Sequence, residues 1–222
     1  VEFVPSTEVT GPIDPENPEV PGPIFPIDPT NPDGPNLGTP GPLSIDFASS
    51  FDFGKNSITN LDKVYYAAAQ GFSEGIEGEF RGNYVQITDN RGTNAGWTLR
   101  LKQEGQFSSD TATKFKELTG SQISIADSVA VSNSIGVPSP KVENITLDPD
   151  GASSIIMSAE EGSGVGTWVD YFGASEEMEI EGELFQKNKA VTLSIPGSTP
   201  KEAVIYTTKL TWTLTDVPGL EG

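Results

Sequence analysis

The chain has 222 residues, no cysteine, no histidine and a formal charge of −19, from 32 acidic and 13 basic residues. Without Cys or His, no Ser/His or Cys/His catalytic pair can form, and the commonest transition-metal ligand is missing. The excess of acids disfavours nucleic-acid binding, which depends on Lys and Arg to neutralise phosphates. No apolar run approaches the ~18 residues of a membrane-spanning helix. The sequence therefore predicts no membrane span, no cofactor and no bound nucleic acid.

Residues 1–42 form a proline-rich segment whose composition differs from that of the rest of the chain. They hold 12 of the 18 prolines and seven acids but no base, whereas residues 43–222 hold all 13 basic residues. Proline fixes φ and biases its neighbours toward polyproline II. We therefore expect an extended arm or linker over residues 1–42 and a folded domain over residues 43–222.

A short repeat lies within the arm. The pattern Pro-Ile-Asp-Pro-x-Asn-Pro occurs at residues 12–18 and again at residues 26–32. Such a segment is typical of a semi-rigid spacer. The alternative is a docking peptide for a partner, with Ile13, Phe25 and Ile27 as its apolar anchors.

From Leu43 onward, the sequence is a series of short segments in which apolar and polar residues alternate, separated by Gly, Asn, Asp and Pro. Such alternation predicts strands. A short helix is predicted after Asp110, which would serve as its N-cap, and this helix would run through Leu118. About ten strands and at most one or two short helices predict an all-β, β-sandwich-like domain. The predicted strands are Leu43–Phe47, Val64–Ala67, Tyr84–Thr88, Trp97–Leu101, Gln122–Ala126, Val142–Leu147, Ser154–Met157, Thr167–Phe172, Val191–Ile195 and, as the longest, Ala203–Thr215.

The tripeptide Trp-Thr-Leu occurs twice, once at Trp97 and once at Trp212, although the chain has only three tryptophans. Residues i and i+2 of a strand share a face, so Trp97 and Leu99 project together, as do Trp212 and Leu214. One interpretation is structural: both tryptophans are buried and hold the two halves of the domain together. The other is that they are exposed platforms that stack on the apolar faces of sugars.

These two motifs, together with four further segments, resemble the WxL domain of surface proteins of low-GC Gram-positive bacteria. The resemblance covers residues 43 to about 219 and spans both Trp-x-Leu motifs. The four further segments are Leu43–Gly54, Gln86–Gly92, Gly164–Trp168 and Leu193–Thr199.

The resemblance implies an extracellular protein attached non-covalently to the peptidoglycan of the cell wall. It makes Trp97, Leu99, Trp212 and Leu214 the candidate ligand-binding or structural residues. Two alternatives stay open. The chain could be a subunit of a surface complex whose wall contact is made by a partner such as a WxL-interacting protein, or an adhesin for host matrix proteins such as collagen and fibronectin.

Two acidic loops could hold a cation but are interpreted as turns. Residues 89–92, Asp-Asn-Arg-Gly, suit local hydrogen bonds, and residues 148–151, Asp-Pro-Asp-Gly, lack the further ligands of an EF-hand. Weak surface binding of Ca²⁺, bridging to anionic wall polymers, is still expected from 32 acids. The glutamate pairs at 160–161 and 176–177 are flanked by small residues, which indicates solvated turns rather than a glycosidase cleft. The sequence therefore predicts a binding protein with no catalytic residue and no dedicated metal ligand.

Overall fold

The computed structural model describes residues 1–20, 22, 24–76 and 79–218, and these residues form sixteen strands and no helix. The all-β class predicted from the alternating segments is confirmed. In chain order the strands are β1 (Phe25–Pro26), β2 (Leu43–Ala48), β3 (Lys63–Ala68), β4 (Gln70–Glu74), β5 (Phe80–Arg81), β6 (Asn83–Asp89), β7 (Trp97–Gln103), β8 (Gln122–Ile125), β9 (Ser128–Ser132), β10 (Lys141–Val142), β11 (Ile145–Thr146), β12 (Ser153–Ala159), β13 (Gly166–Phe172), β14 (Ser175–Ile180), β15 (Glu183–Ile195) and β16 (Leu210–Thr215).

The strands are distributed over four small antiparallel sheets in a propeller-like arrangement. The strand orders are β1-β4-β5, β10-β12-β7-β16, β11-β8-β15-β14 with β3 also paired to β15, and β2-β6-β13-β9. The two-sheet sandwich expected from the sequence is therefore wrong. Alternation identifies strands and their buried faces, but it does not identify their hydrogen-bonding partners, and these partners decide how many sheets form.

The helix predicted between Asp110 and Leu118 is also wrong, because residues 110–120 contain only turns, bends and one bridge residue. The segment instead folds back on itself, with the Leu118 amide donating to the Phe107 carbonyl at 2.9 Å. Phe107 and Leu118 are both buried in the main core. Burial of these two side chains overrides the local capping signal.

The longest strand lies elsewhere than predicted. The sequence predicts Ala203–Thr215, but the strand in that region is only Leu210–Thr215. The longest is β15, with 13 residues, of which the sequence predicts only Val191–Ile195. The first half of β15 contains Lys187 and Asn188, which are buried despite their polarity, so the apolar alternation is interrupted there.

One large apolar core lies between the sheets and takes buried side chains from β6, β7, β8, β12, β13 and β15. A second, smaller cluster covers the other face of the β2-β6-β13-β9 sheet. Because side chains alternate between the faces of a strand, Val85 points into the main core while its neighbour Tyr84 points into the second cluster. The buried members of the second cluster are Ile24, Phe47, Phe72, Tyr84 and Val169.

Part of the proline-rich segment packs onto this second cluster. Ile24 is only 5% exposed, and β1 pairs with β4. The buried carboxylate of Asp14 accepts two hydrogen bonds from Arg81, from Nε at 2.9 Å and from Nη2 at 3.0 Å. The side-chain amide of Gln86 accepts from the Ile13 amide at 2.8 Å. These contacts fix Ile13, Asp14 and residues 24–26 against the domain.

Both copies of the repeat contain the same turn. The carboxylate of Asp14 accepts from the Glu16 amide at 3.0 Å, and that of Asp28 accepts from the Thr30 amide at 2.8 Å. The chain therefore turns at each repeat, whereas the sequence alone predicts an extended arm with a bias toward polyproline II. Only Asp14 is buried. Asp28 is partly exposed, and its carboxylate accepts a hydrogen bond from the Ser50 hydroxyl at 2.8 Å.

Candidate functional site

The two Trp-x-Leu strands lie side by side. Strand β7 pairs antiparallel with β16, and the register places Trp212 opposite Leu101 and Leu214 opposite Leu99. Opposed residues of an antiparallel pair share a face, so both motifs contribute to one apolar surface. Trp97 and Trp212 are offset by four positions, or about 13 Å along the strand at ~3.3 Å per residue. The tryptophans share a face without stacking on each other.

Trp97 is fully buried and belongs to the core. Its Nε1 donates to the Gly164 carbonyl oxygen at 3.0 Å. Gly164 has φ of +68°, and a Cβ there would lie 2.5 Å from the Ala159 Cβ and 3.0 Å from Trp97 Nε1. Gly96, which precedes the motif, is equally restricted because its Cβ would lie 2.4 Å from the Ala159 carbonyl oxygen. The Gly-Val-Gly segment at residues 164–166, which belongs to one of the segments that resemble the family, therefore packs over the Trp97 ring through Gly164; we call this segment the Gly164 lid.

Leu99 is also fully buried, since β7 lies between β12 and β16. It is opposite Met157 on one side and Leu214 on the other. A central strand of this kind has both neighbours hydrogen-bonded and one face in the core. The first motif thus holds the sheet together and offers no surface to a ligand.

The second motif lies at the edge of the same sheet. Trp212 and Leu214 are partly buried and pack against the main core, while Thr213 between them is exposed. The Glu104 amide donates to the Lys209 carbonyl at 2.9 Å. Hydrogen-bonded pairs alternate along an antiparallel ladder, so the N–H and C=O groups of Trp212 and Leu214 point away from β7. Within the described residues, no further strand pairs with β16.

The opposite face of the two strands is polar. Thr98 and Arg100 of β7 lie opposite Thr215 and Thr213 of β16. The Thr98 hydroxyl donates to the Val217 carbonyl at 2.7 Å, which holds the end of β16 against β7.

The loop before the first motif is fixed by an ion pair. Asp89 is buried and accepts from Arg91 Nε at 2.9 Å and Nη2 at 2.7 Å, and Arg91 also donates to the Gly96 carbonyl at 2.7 Å. The hydrogen bond to Asp89 raises the pKa of Arg91, and the nearby Asp216 adds to this. The interpretation of residues 89–92 as a turn is confirmed, with the Asp89 oxygens committed to Arg91.

Residues 148–151 are likewise a turn, with the Asp148 carboxylate accepting from the Asp150 amide at 2.8 Å. Among the described residues, no group of three or more acidic side chains is arranged to hold a metal ion. The same residues contain no helix long and apolar enough to cross a membrane.

Sequence reasoning missed an exposed apolar groove that is formed by other strands than the two Trp-x-Leu strands. Ile27, Phe80, Leu184 and Phe185 line it, and each is at least 40% exposed. Only Ile27 was singled out by the sequence, as an anchor of the arm. Phe80 and the adjacent pair Leu184 and Phe185 come from distant segments of the chain. The one local signal that could have indicated the groove is this Leu-Phe pair within a strongly acidic stretch.

Comparison with known protein families gives a match over nearly the whole chain. A family model described as "WxL domain surface cell wall-binding" matches residues 1–218. No curated protein and no solved structure matches the chain. The matched range contains both Trp-x-Leu strands, the Gly164 lid and the proline-rich segment.

Proposed function

We propose that the chain is secreted and attaches non-covalently to peptidoglycan through the β16 edge. The chain belongs to the WxL family of surface cell wall-binding domains, and it is therefore extracellular and wall-associated. The observation that supports this site is the difference between the two tryptophans. Trp97 is enclosed by the core, whereas Trp212 lies on the open edge strand. Of the two tryptophans only Trp212 is partly exposed, which supports the choice of this residue for ligand contact.

The β16 edge offers three kinds of contact that suit a glycan with attached peptides. The partly exposed ring of Trp212 can stack on the C–H face of a sugar, as aromatic side chains do at binding hot spots. The exposed Thr213 hydroxyl can exchange hydrogen bonds with sugar hydroxyls. The outward N–H and C=O groups of Trp212 and Leu214 can pair with an extended stem peptide, as in strand addition.

Bulk charge does not drive this attachment. With a formal charge of −19, the chain is repelled by anionic wall polymers. Binding at β16 must therefore rest on short-range contacts, and these are only weakly screened by salt. The activity that follows is binding alone.

Co-sedimentation of the full chain with peptidoglycan stripped of teichoic acid tests the proposal. The full chain is needed because Ile13, Asp14 and residues 24–26 pack onto the domain. Trp212→Leu keeps an apolar side chain over the core but removes the flat ring. It should weaken the affinity for peptidoglycan at least about tenfold, the equivalent of ~1.4 kcal/mol. Trp97→Phe is the matched control, because it alters a buried tryptophan and should leave binding by the folded protein unchanged.

Two results contradict the proposal. One is a wild-type chain that stays in solution. The other is a Trp212→Leu variant that is folded by circular dichroism and still sediments as the wild type does.

A further inference from the structure

The exposed apolar groove lies between the beginning of β15 and the β1-β4-β5 sheet. It has a volume of about 460 Å³ and is lined by Ile27, Gly71, Phe80, Leu184 and Phe185. Leu184 is 64% exposed, and the other three large apolar side chains are exposed by 40–45%. Apolar side chains grouped in a concave surface, rather than scattered singly, are typical of a recognition site.

One wall of the groove is an unpaired strand edge. The Ala69 amide donates to the Gln186 carbonyl at 3.0 Å, on the side of β15 that faces β3. Hydrogen-bonding direction alternates along a strand, so the N–H and C=O groups of Leu184 face the same side as those of Gln186. Strand β3 ends at Ala68, and within the described residues no strand continues its pairing alongside Leu184. The groove therefore presents both apolar side chains and free backbone groups.

The rim of the groove is acidic. Glu179 lies opposite Leu184 in the β14-β15 pair, Glu183 precedes it, and both are exposed. Glu79 next to Phe80 has a side chain that is 62% exposed.

Of the basic side chains near the groove, Arg81 pairs with Glu79 and therefore offsets the charge of that glutamate, but not the charges of Glu179 and Glu183. Arg81 is buried and bonded to Asp14 and Glu79. Lys187 is only 6% exposed, and burial lowers its pKa although Asp52 opposes this. A ligand for this surface should therefore carry positive charge.

We propose that the groove binds an extended, basic segment of a partner protein, which adds as a strand beside Leu184. Alternate side chains of such a segment would enter the groove, and the intervening Lys or Arg residues would face the glutamates of the rim. A second copy of this chain is disfavoured, because its charge of −19 would meet the same acidic rim. A glycan chain has neither the alternating apolar side chains nor the positive charge that the groove selects.

The site is separate from the wall-binding edge proposed above. The groove is formed by β15 and the β1-β4-β5 sheet, whereas β16 belongs to the β10-β12-β7-β16 sheet. The two proposals can therefore fail independently.

The probe for the test is a short synthetic peptide in which Lys and Val alternate, added to the full chain and followed by fluorescence anisotropy. A Glu-Val peptide tests the charge, and a Lys-Val peptide with N-methylated valines tests the backbone pairing. We expect the Lys-Val peptide to bind at least about tenfold more tightly than either comparison peptide.

Variants locate the binding on the chain. Leu184→Ser combined with Phe80→Ser should weaken Lys-Val binding at least about tenfold. Leu61→Ser, at a position that is 63% exposed and away from the groove, should change nothing.

Three results overturn the proposal: no binding of the Lys-Val peptide, equal binding of its N-methylated form, or equal binding by the groove variant. A soluble peptidoglycan fragment that binds in the groove in place of the peptide would also overturn it, and the β16 proposal would then stand only if the same fragment also protected the β16 amides.

Discussion

The Asp14–Arg81 pair predicts how strongly the proline-rich segment is held to the domain. Asp14→Ala removes two hydrogen bonds from Arg81, at 2.9 and 3.0 Å, from a buried carboxylate. Truncating one partner of a buried ion pair costs about 3–5 kcal/mol. In the variant, Arg81 still forms ion pairs with Glu79 at 3.0 Å and with Glu16 at 3.3 Å, so its buried charge remains partly compensated. The expected loss of unfolding free energy is therefore at the lower end of that range, about 3 kcal/mol.

Asp28→Ala is the matched control, because Asp28 occupies the same position in the second copy of the repeat. It makes the same turn contact with Thr30 but pairs with the Ser50 hydroxyl instead of a buried cation. Its loss should stay near ~1 kcal/mol, as for an ordinary hydrogen bond. Urea unfolding of the two variants measures the difference, provided that the m-values agree. Equal losses for the two variants would refute the reasoning.

The Asp14 effect should also depend on pH. Burial alone would raise the pKa of Asp14, but hydrogen bonds from Arg81, the Glu16 amide and Asn17 outweigh it and lower the pKa below 3.8. A depressed folded-state pKa adds stability above the unfolded value, and this stability is lost as pH falls through the folded value. The gap between the wild type and Asp14→Ala should be full at neutral pH and shrink below about pH 3.8. A gap that does not change with pH would contradict this assignment.

Two further predictions concern the core. Gly164→Ala should lower the free energy of unfolding by about 2–4 kcal/mol, because a Cβ at φ +68° is strained and would collide with Ala159. Gly162→Ala, at φ +85° with open space around it, is the control and should lower it by only about 1–2 kcal/mol. Equal losses in thermal unfolding would contradict the close packing of Gly164 over Trp97. Asp170 is fully buried, and neither carboxylate oxygen has a hydrogen-bond partner in the described part of the chain. Burial raises its pKa well above the ordinary value, and the nearby Ser128 only partly opposes this. The folded state keeps a proton on Asp170 that the unfolded state loses, so the stability of the wild type falls as pH rises. Asp170→Asn lacks this proton, and its melting temperature relative to that of the wild type should therefore increase from about pH 4 to about pH 8. A constant difference would mean that Asp170 is not protonated in the fold.

The sequence predicts strands well where alternation is complete. The predicted strand Tyr84–Thr88 lies within β6, and Trp97–Leu101 lies within β7. The two Trp-x-Leu strands pair with each other, which their shared pattern does not by itself predict. Where buried polar residues interrupt the pattern, as at Lys187 and Asn188 in β15, the first part of the strand is missed.

Identical local sequences take different environments, and the sequence does not predict which. Trp97 and Trp212 lie in the same tripeptide, yet one is enclosed and the other is partly exposed. The difference arises because β7 is a central strand and β16 is an edge strand. In the same way, Asp14 and Asp28 share a repeat, but only Asp14 meets an arginine, which lies 67 positions further along the chain. Contacts of such long range depend on the whole fold.

Amide hydrogen exchange of the full chain, with and without soluble peptidoglycan fragments, tests the central claim most directly. The outward amides of Leu210, Trp212 and Leu214 should exchange rapidly in the free protein and become protected when the fragments bind. Protection confined to these β16 amides is the predicted result. Unchanged exchange along β16, or protection beside Leu184 instead, would show that the wall does not bind at the Trp-x-Leu edge.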